Sequence, residues 1–354
     1  MENELKLSFN TNAKKQKATI GVVVLCYNYK DYVKIALDSI YAQHEKFDEI
    51  IVVDDGSTDG SSDVLSLDKR DFLYIRQENG GVMSASIKGL YASKSDYIYF
   101  LDADDCITPS MVQEIKPLLL EDDLVKIQFQ LMGIDQNGNR TGSVFPGLSS
   151  CYSSKHAISD NRIMGFYNSP PTSGNIYRAK FLKRLDLSII DLREPIDGAV
   201  NLLAPYLGKL ISVPKALGYY RVHNKNFSQV SIPTPERLRS DVKRLERRWT
   251  TAKQLSPLVD VPLSLKNSLF VLERTIMASV LENGSINLFD LYRLNLSSWK
   301  SGLHTRVKLF YIAWTISLLI PSKTLRRIMV LARKSATNRN ILIRFIIKIF
   351  SGSY

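Results

Sequence analysis

The sequence predicts an α/β protein with a mostly parallel sheet flanked by helices, followed by an α-helical region at the carboxyl end. Two observations support this prediction. Short apolar runs rich in β-branched or aromatic residues alternate with segments of helical periodicity before residue 102. From Thr234 onward the apolar spacing is helical. Such an alternation favours helices on both faces of the sheet, because parallel strands need long crossover connections.

The first three predicted strands cover residues 18–27, 49–53 and 72–76. The first two are β-branched runs, which are typical of buried central strands. The second strand stops at Asp54 and Asp55. The third leads to the turn sequence Glu-Asn-Gly-Gly. Polar groups therefore follow these strands at their carboxyl ends, where open α/β sheets bind ligands.

The fourth predicted strand, residues 97–101, ends in three carboxylates: Asp102, Asp104 and Asp105. Clustered acids repel one another, which favours a bound cation between them. Mg²⁺ is usually held by one or two carboxylates together with substrate phosphates. The alternative is an acidic turn or a cap on a helix that begins near Pro109. The carboxyl ends of parallel strands lie at the same edge of a sheet, so we expect these polar groups to lie together. They predict a nucleotide site at that edge.

Two common nucleotide-binding classes are disfavoured. A Rossmann dehydrogenase needs a glycine fingerprint after its first strand, and residues 26–30 contain no glycine. The sequence also lacks the Gly-Lys-Ser or Gly-Lys-Thr of a P-loop. Further along, residues 125–132 predict a strand, residues 135–139 a hairpin turn with a second strand near Val144, and residues 145–161 a loop over the site.

Four motifs, in this order, resemble the family 2 glycosyltransferases. They are Val-Val-Val-Leu-Cys-Tyr-Asn-Tyr from residue 22, Ile-Val-Val-Asp-Asp-Gly-Ser-Thr-Asp from residue 51, Glu-Asn-Gly-Gly-Val from residue 78 and Phe-Leu-Asp-Ala-Asp-Asp from residue 100. The resemblance covers about residues 18–230. It implies a GT-A-type, Rossmann-like sheet, an inverting reaction and a nucleotide-diphospho-sugar donor, with a UDP-sugar favoured.

The resemblance also implies roles for individual residues. Tyr27 and Asp55 are expected to contact the base and ribose, with Asp54 behind them. Asp102 is expected to face the ribose or sugar, and Asp104 to bind Mn²⁺ or Mg²⁺ at the diphosphate. The expected substrate-binding residues are Tyr27, Asn28, Asp54, Asp55, Asn79, Gly80, Lys88, Asp102, Ala103 and Arg221. For Lys88, a solvated helix face is the alternative.

The expected catalytic base is Asp197, since inverting transfer needs a carboxylate to accept the proton of the acceptor hydroxyl. The family often has a Glu-Asp pair here, whereas Asp197 stands between Ile and Gly, so a helix N-cap is the alternative. Glu194 and Asp191 are the substitute candidates. The segment Tyr-Arg-Val-His ending at His223 resembles the family segment that closes over the diphosphate, with His223 as a metal ligand.

The net charge is +12, and the ten basic residues of 301–354, which contains no acid, account for +10 of it. The first 300 residues therefore carry only +2. Basic residues interleaved with large aliphatic ones predict helices at an anionic membrane surface. Packing on the catalytic domain and dimerisation are the alternatives, and nucleic acid is disfavoured. The expected domains are a flexible leader, 1–17, a catalytic domain, 18–230, and a basic helical region, 231–354.

Three cysteines without a pairing or metal spacing suggest a reducing compartment, and the polar first 17 residues show no secretory core. The predicted location is cytoplasmic, on the inner face of the cell membrane. The predicted function is metal-dependent transfer of a sugar to a lipid-linked or polysaccharide acceptor in surface glycan biosynthesis. Two alternatives are a nucleotidyltransferase that forms sugar nucleotides and a non-catalytic binding protein of the same fold.

Overall fold

The computed structural model describes residues 18–223, 233–256, 265–301 and 303–334, without the side chains at positions 332 and 334. The predicted leader and the predicted basic helix at 341–350 lie outside the described residues. The chain forms two compact units. The first comprises Met1–Ile158, Asn168–Gln229 and Thr251–Val259, and the second comprises Ser159–Tyr167, Val230–Thr250 and Asp260–Tyr354.

A mixed sheet forms the centre of the first unit. Its strands are β1 (Ile20–Cys26), β2 (Glu49–Asp54), β3 (Leu73–Arg76), β4 (Tyr97–Asp102), β5 (Cys106–Ile107), β6 (Leu124–Ile134), β7 (Arg140–Phe145), β8 (Asn175–Arg178) and β9 (Lys209–Arg221). The strand order is β3-β2-β1-β4-β8-β6-β9-β5, with β7 paired to β6. Strands β1 to β4 are parallel, and β8 is antiparallel to both β4 and β6. The predicted parallel half of the sheet is confirmed.

The helices alternate with the strands in the first unit and follow one another in the second. They are α1 (Val33–Tyr41), α2 (Ser61–Leu67), α3 (Val82–Ala92), α4 (Met111–Ile115), α5 (Ser154–Met164), α6 (Ala179–Leu182), α7 (Ala199–Leu207), α8 (Pro235–Leu255), α9 (Leu269–Asn283), α10 (Leu288–Lys300), α11 (Thr305–Ser317) and α12 (Lys323–Lys334). None of the helices in the described parts of the chain has the length and apolarity needed to cross a membrane.

Two elements differ from the sequence prediction. The predicted loop over residues 145–161 is wrong in its second half, where α5 begins at Ser154. The Ser154 hydroxyl accepts a hydrogen bond from the Leu210 amide at 2.8 Å and donates to the Gly208 carbonyl at 2.9 Å, which anchors the helix start to β9. Strand β9 also continues past Pro214 to Arg221, whereas the predicted strand ends at residue 213.

Each face of the sheet is covered by its own apolar layer. Side chains alternate along β1, so Val22 and Val24 pack with α1, while Val23 and Leu25 pack with α3. Gly89 permits the close approach of α3 to β1, because a Cβ atom there would lie 2.3 Å from Cγ1 of Val23. The two layers hold the strands rigidly and so fix where their carboxyl ends lie.

The second unit has a separate helical core. Residues of α8 to α12 fill it, and Trp314 is fully buried within it. Ser268 caps the start of α9 by accepting a hydrogen bond from the Val271 amide at 3.1 Å. Gly284 ends α9 at a φ of 72°, a left-handed conformation that favours glycine. This unit therefore has the caps and the buried apolar cluster of an independent packing unit.

Candidate active site

Two acidic turns flank the carboxyl end of β1. In the sheet register Cys26 pairs with Asp54 on one side, and Leu25 pairs with Asp102 on the other. Beyond the strands, the Asp55 amide donates to the Cys26 carbonyl at 2.8 Å and the Ala103 amide donates to the Leu25 carbonyl at 3.0 Å. The strand tips that carry the predicted acids are therefore neighbours at one sheet edge.

The turn after β1 is bonded to the turn after β2. Asn28 adopts a left-handed backbone with φ 58°, and its side-chain oxygen accepts a hydrogen bond from the Thr58 amide at 2.8 Å. Its own amide donates to the Ser57 hydroxyl at 3.0 Å. Tyr27 precedes this turn and is 44% exposed. Asn28 thus builds the pocket edge, and the Tyr27 ring is accessible beside it.

Asp54 is fully buried and stabilises its own turn. Its carboxylate accepts hydrogen bonds from the Ser57 amide at 2.9 Å and from the Tyr74 hydroxyl at 3.0 Å. The guanidinium of Arg76 lies 3.7 Å away. Burial, followed by the charge of Asp54, raises the pKa of Tyr74 to about 12. These contacts give Asp54 a role in shaping the turn behind the strand tips.

Asp55 holds the glycine turn that follows β3. Its two oxygens accept hydrogen bonds from the Gly80 amide at 2.9 Å, the Gly81 amide at 2.9 Å and the Gln77 side chain at 2.7 Å. Asn79, in the same turn, is exposed. The carboxylate of Asp55 therefore connects the Gly80–Gly81 turn to the end of β2. The sequence predicted contact with the base and ribose for Asp55, but not this structural role.

Asp104 is paired with His223 across the site. Nε2 of His223 lies 2.8 Å from Oδ2 of Asp104, and the imidazole stacks on Tyr32 with ring centroids 5.5 Å apart. Tyr29 also hydrogen-bonds Asp104, and burial together with the charge of that carboxylate raises the pKa of Tyr29 far above its usual range. The carboxyl end of β9 is thereby joined to the loop after β4.

Arg221 is 2% exposed and bonds mainly to the backbone. Its amide donates to Oδ1 of Asp105 at 2.8 Å, and its Nε donates to the Asp104 carbonyl at 2.8 Å. Its Nη1 donates to the carbonyls of Asp135 and Gln136 at 3.2 and 3.3 Å. The guanidinium thus connects β9 to the acidic loop and to the β6–β7 hairpin.

The acids after β4 interact unfavourably with one another. Burial, and then the charges of Asp104 and Asp197, raise the pKa of Asp102 well above its usual range. Burial, and then the charges of Asp104 and Asp102, do the same for Asp105. Like charges in a desolvated pocket disfavour simultaneous ionisation, and a bound cation relieves that repulsion. The electrostatics of this loop therefore suit a cationic ligand.

Asp104 and His223 are hydrogen-bonded to each other, and their spacing also matches that of two ligands on one divalent ion. Two neighbouring ligands of an octahedral ion, each 2.0–2.1 Å from it, are about 3 Å apart, and the Asp104 oxygen and His223 nitrogen are separated by 2.8 Å. Within the described parts of the chain, no three His, Cys, Asp or Glu residues form a complete metal cluster. The pair fits an ion whose remaining ligands come from phosphate and water.

Asp197 lies just before α7. The N-cap position of that helix is Gly198, one residue after Asp197. The charge of Asp197 acts on Asp102, which links the predicted base to the acidic loop. Of the substitute candidates, Glu194 is 6% exposed and Asp191 is exposed.

Sequence reasoning missed Ser173, which lies beside this loop, and Lys126, which interacts with Asp197. The Ser173 hydroxyl accepts a hydrogen bond from the Asp102 amide at 3.2 Å and hydrogen-bonds Asp105. Lys126 on β6 is fully buried and interacts with Asp197. Lys126 alternates with apolar neighbours, which is typical of a solvent-facing strand position, so its pattern gave no signal. Lys88 is exposed on α3.

Residues 21–181 match the sequence profile of glycosyl transferase family 2. That region contains β1 to β4, both acidic turns and β8. It carries the strand-tip arrangement described above, with two acidic turns beside the end of β1. Residues 21–181 therefore belong to glycosyl transferase family 2.

Curated relatives of this chain are named glycosyltransferases. An uncharacterized glycosyltransferase of Nostoc sp. is 32% identical over 218 residues, covering 58% of this chain and 66% of that protein. The glycosyltransferase GlyA of Streptococcus pneumoniae is 32% identical over 230 residues, covering 60% of this chain and 32% of that protein. The matched part of the chain thus spans no more than about two thirds of either relative.

A solved structure is similar in fold. The crystal structure of residues 1-349 of TarS from S. aureus, in complex with UDP-GlcNAc, aligns with a TM-score of 0.53 at 15% identity. The alignment covers 91% of this chain and 92% of the TarS chain. At that identity the similarity bears on the fold alone. It confirms the predicted GT-A-type α/β architecture with a helical region at the carboxyl end.

Proposed function

We propose that this chain is an inverting glycosyltransferase that moves a sugar from a nucleotide-diphosphate donor to a hydroxyl of a glycan or lipid-linked acceptor. The observation that supports the proposal is the electrostatic interaction between Asp197 and Asp102, which lies two residues before Asp104, the partner of His223. A base for the acceptor and a site for the diphosphate thus belong to one cluster.

The donor is proposed to lie over the strand tips. The exposed ring of Tyr27 is suited to stack on the base, and the turns held by Asn28 and by Asp55 form the adjacent wall. Asp102 ends β4 and Ala103 follows it, and both are proposed to face the sugar. A UDP-sugar is the favoured donor, and the TarS structure of similar fold is a complex with UDP-GlcNAc.

The proposed metal ligands are Asp104 and His223, with Mn²⁺ or Mg²⁺ as the ion. When bound, the ion supplies positive charge beside the diphosphate leaving group. Arg221 contributes by holding the Asp104 backbone, through the 2.8 Å hydrogen bond from its Nε. The protein side of the site is thus fixed before a ligand enters, which is the condition for efficient electrostatic stabilisation.

The proposed catalytic base is Asp197. Its carboxylate accepts the proton of the acceptor hydroxyl while the acceptor oxygen forms a bond to the sugar C1. The bond from C1 to the diphosphate oxygen breaks on the opposite face, and the configuration at C1 is inverted. Asp102, on which the charge of Asp197 acts, is proposed to face the donor. The acceptor hydroxyl is therefore expected to enter between these two carboxylates.

We also propose that residues 18–230 form the catalytic domain and that residues 231–354 contact the inner face of a cell membrane as a peripheral element. The charge of +10 within residues 301–354 supports this, since basic residues near an anionic surface are each worth about 1 kcal/mol. In α12, Ile328 and Leu331 are exposed beside basic residues. Surface glycan biosynthesis places its lipid-linked acceptors at such a surface.

The test is a thermal-shift screen of nucleotide sugars with and without Mn²⁺, followed by a transfer assay with the best donor. A donor that raises the Tm only with Mn²⁺ supports the proposed class and identifies the sugar. The Asp197→Asn variant is expected to keep donor binding and lose transfer by at least about 100-fold. Donor binding without transfer in the wild-type chain would instead favour the non-catalytic alternative.

A further inference from the structure

A fully buried lysine lies in the middle of the sheet. Lys126 is on β6, between β8 and β9 in the strand order, and is 0% exposed. Its ammonium nitrogen donates to the Ser169 hydroxyl at 2.9 Å and to Oε1 of Gln128 at 3.2 Å. A charged lysine is rarely buried unless a partner offsets the loss of its hydration. The site around Lys126 should therefore contain such a partner.

The polar groups around Lys126 are held in one orientation. The Gln128 side-chain amide donates to the Asn168 carbonyl at 3.1 Å and to the Ser212 hydroxyl at 3.0 Å. Because both donors of that amide are used, its carbonyl oxygen is directed to Lys126. Gln128 is also 0% exposed, so this arrangement is sealed from solvent.

The same network reaches α7, the helix that follows Asp197. The Asn201 side chain donates to the Ser169 hydroxyl at 3.0 Å and accepts from the Tyr177 hydroxyl at 2.6 Å. Asn201 lies in the first turn of α7, four residues after Asp197, so the network fixes that turn relative to β6 and β8. Lys126 is thus connected to the helix that the proposed base precedes.

The charges agree with this connection. Burial lowers the pKa of Lys126 well below its usual range, and the negative charge of Asp197 opposes that shift. On its other side, Asp197 interacts with Asp102 on β4. Asp197 therefore interacts with the side chain of Lys126 on β6 and with the carboxylate at the end of β4. Of these two groups, the protonated form of Lys126 favours the ionised form of Asp197, and the carboxylate opposes it.

We propose that Lys126 is a positioning residue for Asp197: its buried ammonium attracts the Asp197 carboxylate and keeps it ionised and oriented for proton acceptance at the start of α7. The inference rests on the proposed function, in which Asp197 is the base. It adds a residue that contacts neither donor nor acceptor. Its charge nevertheless determines how well the base works.

The first experiment measures coupling in stability, which needs no activity. Asp197→Asn leaves a buried ammonium without its carboxylate, and we expect the Tm to fall by at least about 4 °C. Adding Lys126→Met to that variant removes the unpaired charge, and the Tm should recover toward the value of Lys126→Met alone. Additive losses in the double variant would overturn the pairing. Should Lys126→Met fail to fold, Lys126→Gln, which keeps a donor for Ser169, takes its place.

The second experiment measures transfer kinetics. Lys126→Met should lower kcat by at least about tenfold while the KM for the donor changes less than about twofold, because donor contacts are untouched. Lys116→Met is the matched control: Lys116 pairs with Glu45 and Asp48, and its removal should leave kcat unchanged. An unchanged kcat in Lys126→Met would overturn the positioning role. If the wild-type chain transfers no sugar, the proposed function fails, and the Tm cycle still decides the pairing.

Discussion

The imidazole Nε2 of His223 lies 2.8 Å from the carboxylate Oδ2 of Asp104, although 119 residues separate the two in sequence. Asp104 follows a central strand of the parallel half, and His223 follows the last strand of the sheet. The pair therefore connects the parallel strands that carry the family motifs to β9, which comes later in the sequence. Its spacing suits two ligands of one divalent ion.

Removal of either member of this pair should weaken metal binding. His223→Ala and Asp104→Asn are each expected to raise the Mn²⁺ concentration needed for half-maximal donor binding by at least about tenfold, since a site with two protein ligands loses half of them. The measurement is a titration of Mn²⁺ at fixed donor by calorimetry. His44→Ala is the control, because His44 is exposed and its contact to Pro109 uses the backbone. Equal Mn²⁺ requirements in all four proteins would contradict the assignment.

Asp55→Asn should loosen the Gly80–Gly81 turn. The asparagine side chain has one acceptor oxygen and one NH₂ group, so its NH₂ would face the N–H of Gly80 or of Gly81. At least one buried hydrogen bond is therefore lost. We expect a loss of about 1–3 kcal/mol in the free energy of unfolding, measured by urea denaturation. The exposed Asp63, in the first turn of α2, supplies the control variant Asp63→Asn, which should cost only a few tenths of a kcal/mol. Donor affinity should fall in the first variant and stay constant in the second.

Gly89→Ala should separate α3 from β1. The new methyl group would lie 2.3 Å from Cγ1 of Val23, so either the helix or the strand must shift. Overpacking of this kind costs about 1–3 kcal/mol of stability, detectable by thermal unfolding. The neighbouring variant Lys88→Ala removes an exposed side chain and should stay within about 0.5 kcal/mol. If Lys88→Ala also leaves the donor KM unchanged, Lys88 belongs to a solvated helix face and not to the donor site.

The cysteines should differ in reactivity. Burial, and then the charge of Asp54, raise the pKa of Cys26 to about 12, and burial raises that of Cys106 to about 11. Both thiols are therefore protonated at pH 8. Cys151, in contrast, is exposed to solvent. Iodoacetamide at pH 8 should label Cys151 first, as read by peptide mass spectrometry, and Cys106 should follow as the pH approaches 11. In urea all three should react alike. Early labelling of Cys26 in the native protein would contradict the packing of β1.

Membrane binding should depend on charge. The full chain is expected to co-sediment with vesicles that contain phosphatidylserine and to stay in solution with phosphatidylcholine alone. Raising the salt from 0.1 to 0.5 M should release it, because screening shortens the reach of surface charge. Arg344→Glu should weaken binding by several fold or more, at about 1 kcal/mol per basic charge. Salt-independent binding, or binding to neutral vesicles, would argue against this role for the basic region.

Strands β1, β2 and β4 of the parallel half were predictable from the sequence because they are largely buried on both faces. A run such as residues 97–102 must be nearly all apolar until it reaches the edge, so the acids that follow mark the strand end. The hairpin after β6 was predictable for a local reason: the Asp135 side chain accepts a hydrogen bond from the Asn139 amide at 2.8 Å. Contacts within a few residues are visible in sequence.

The remaining features depend on contacts between distant residues. Strand β9 continues past Pro214 because its register to β6 shifts between the pairs Phe129–Val213 and Gln130–Ala216, which leaves the proline outside the ladder. Arg221 points to backbone carbonyls because the acidic loop and the hairpin surround it. Likewise, Lys126 has the alternation of a surface residue and is buried only because α7 and the segment at Ser169 cover it.

The late position of Arg221 and His223 has a consequence for biosynthesis. Asp105 and Asp104 acquire their hydrogen bonds from Arg221 only after 116 and 117 further residues have been translated. Until then a nascent chain carries the acidic loop next to its finished parallel strands without the groups that clamp it. The last strand of the sheet to be translated thus completes the pocket. A fragment that stops before residue 221 should form the first strands, but we expect it not to bind the diphosphate of the proposed donor.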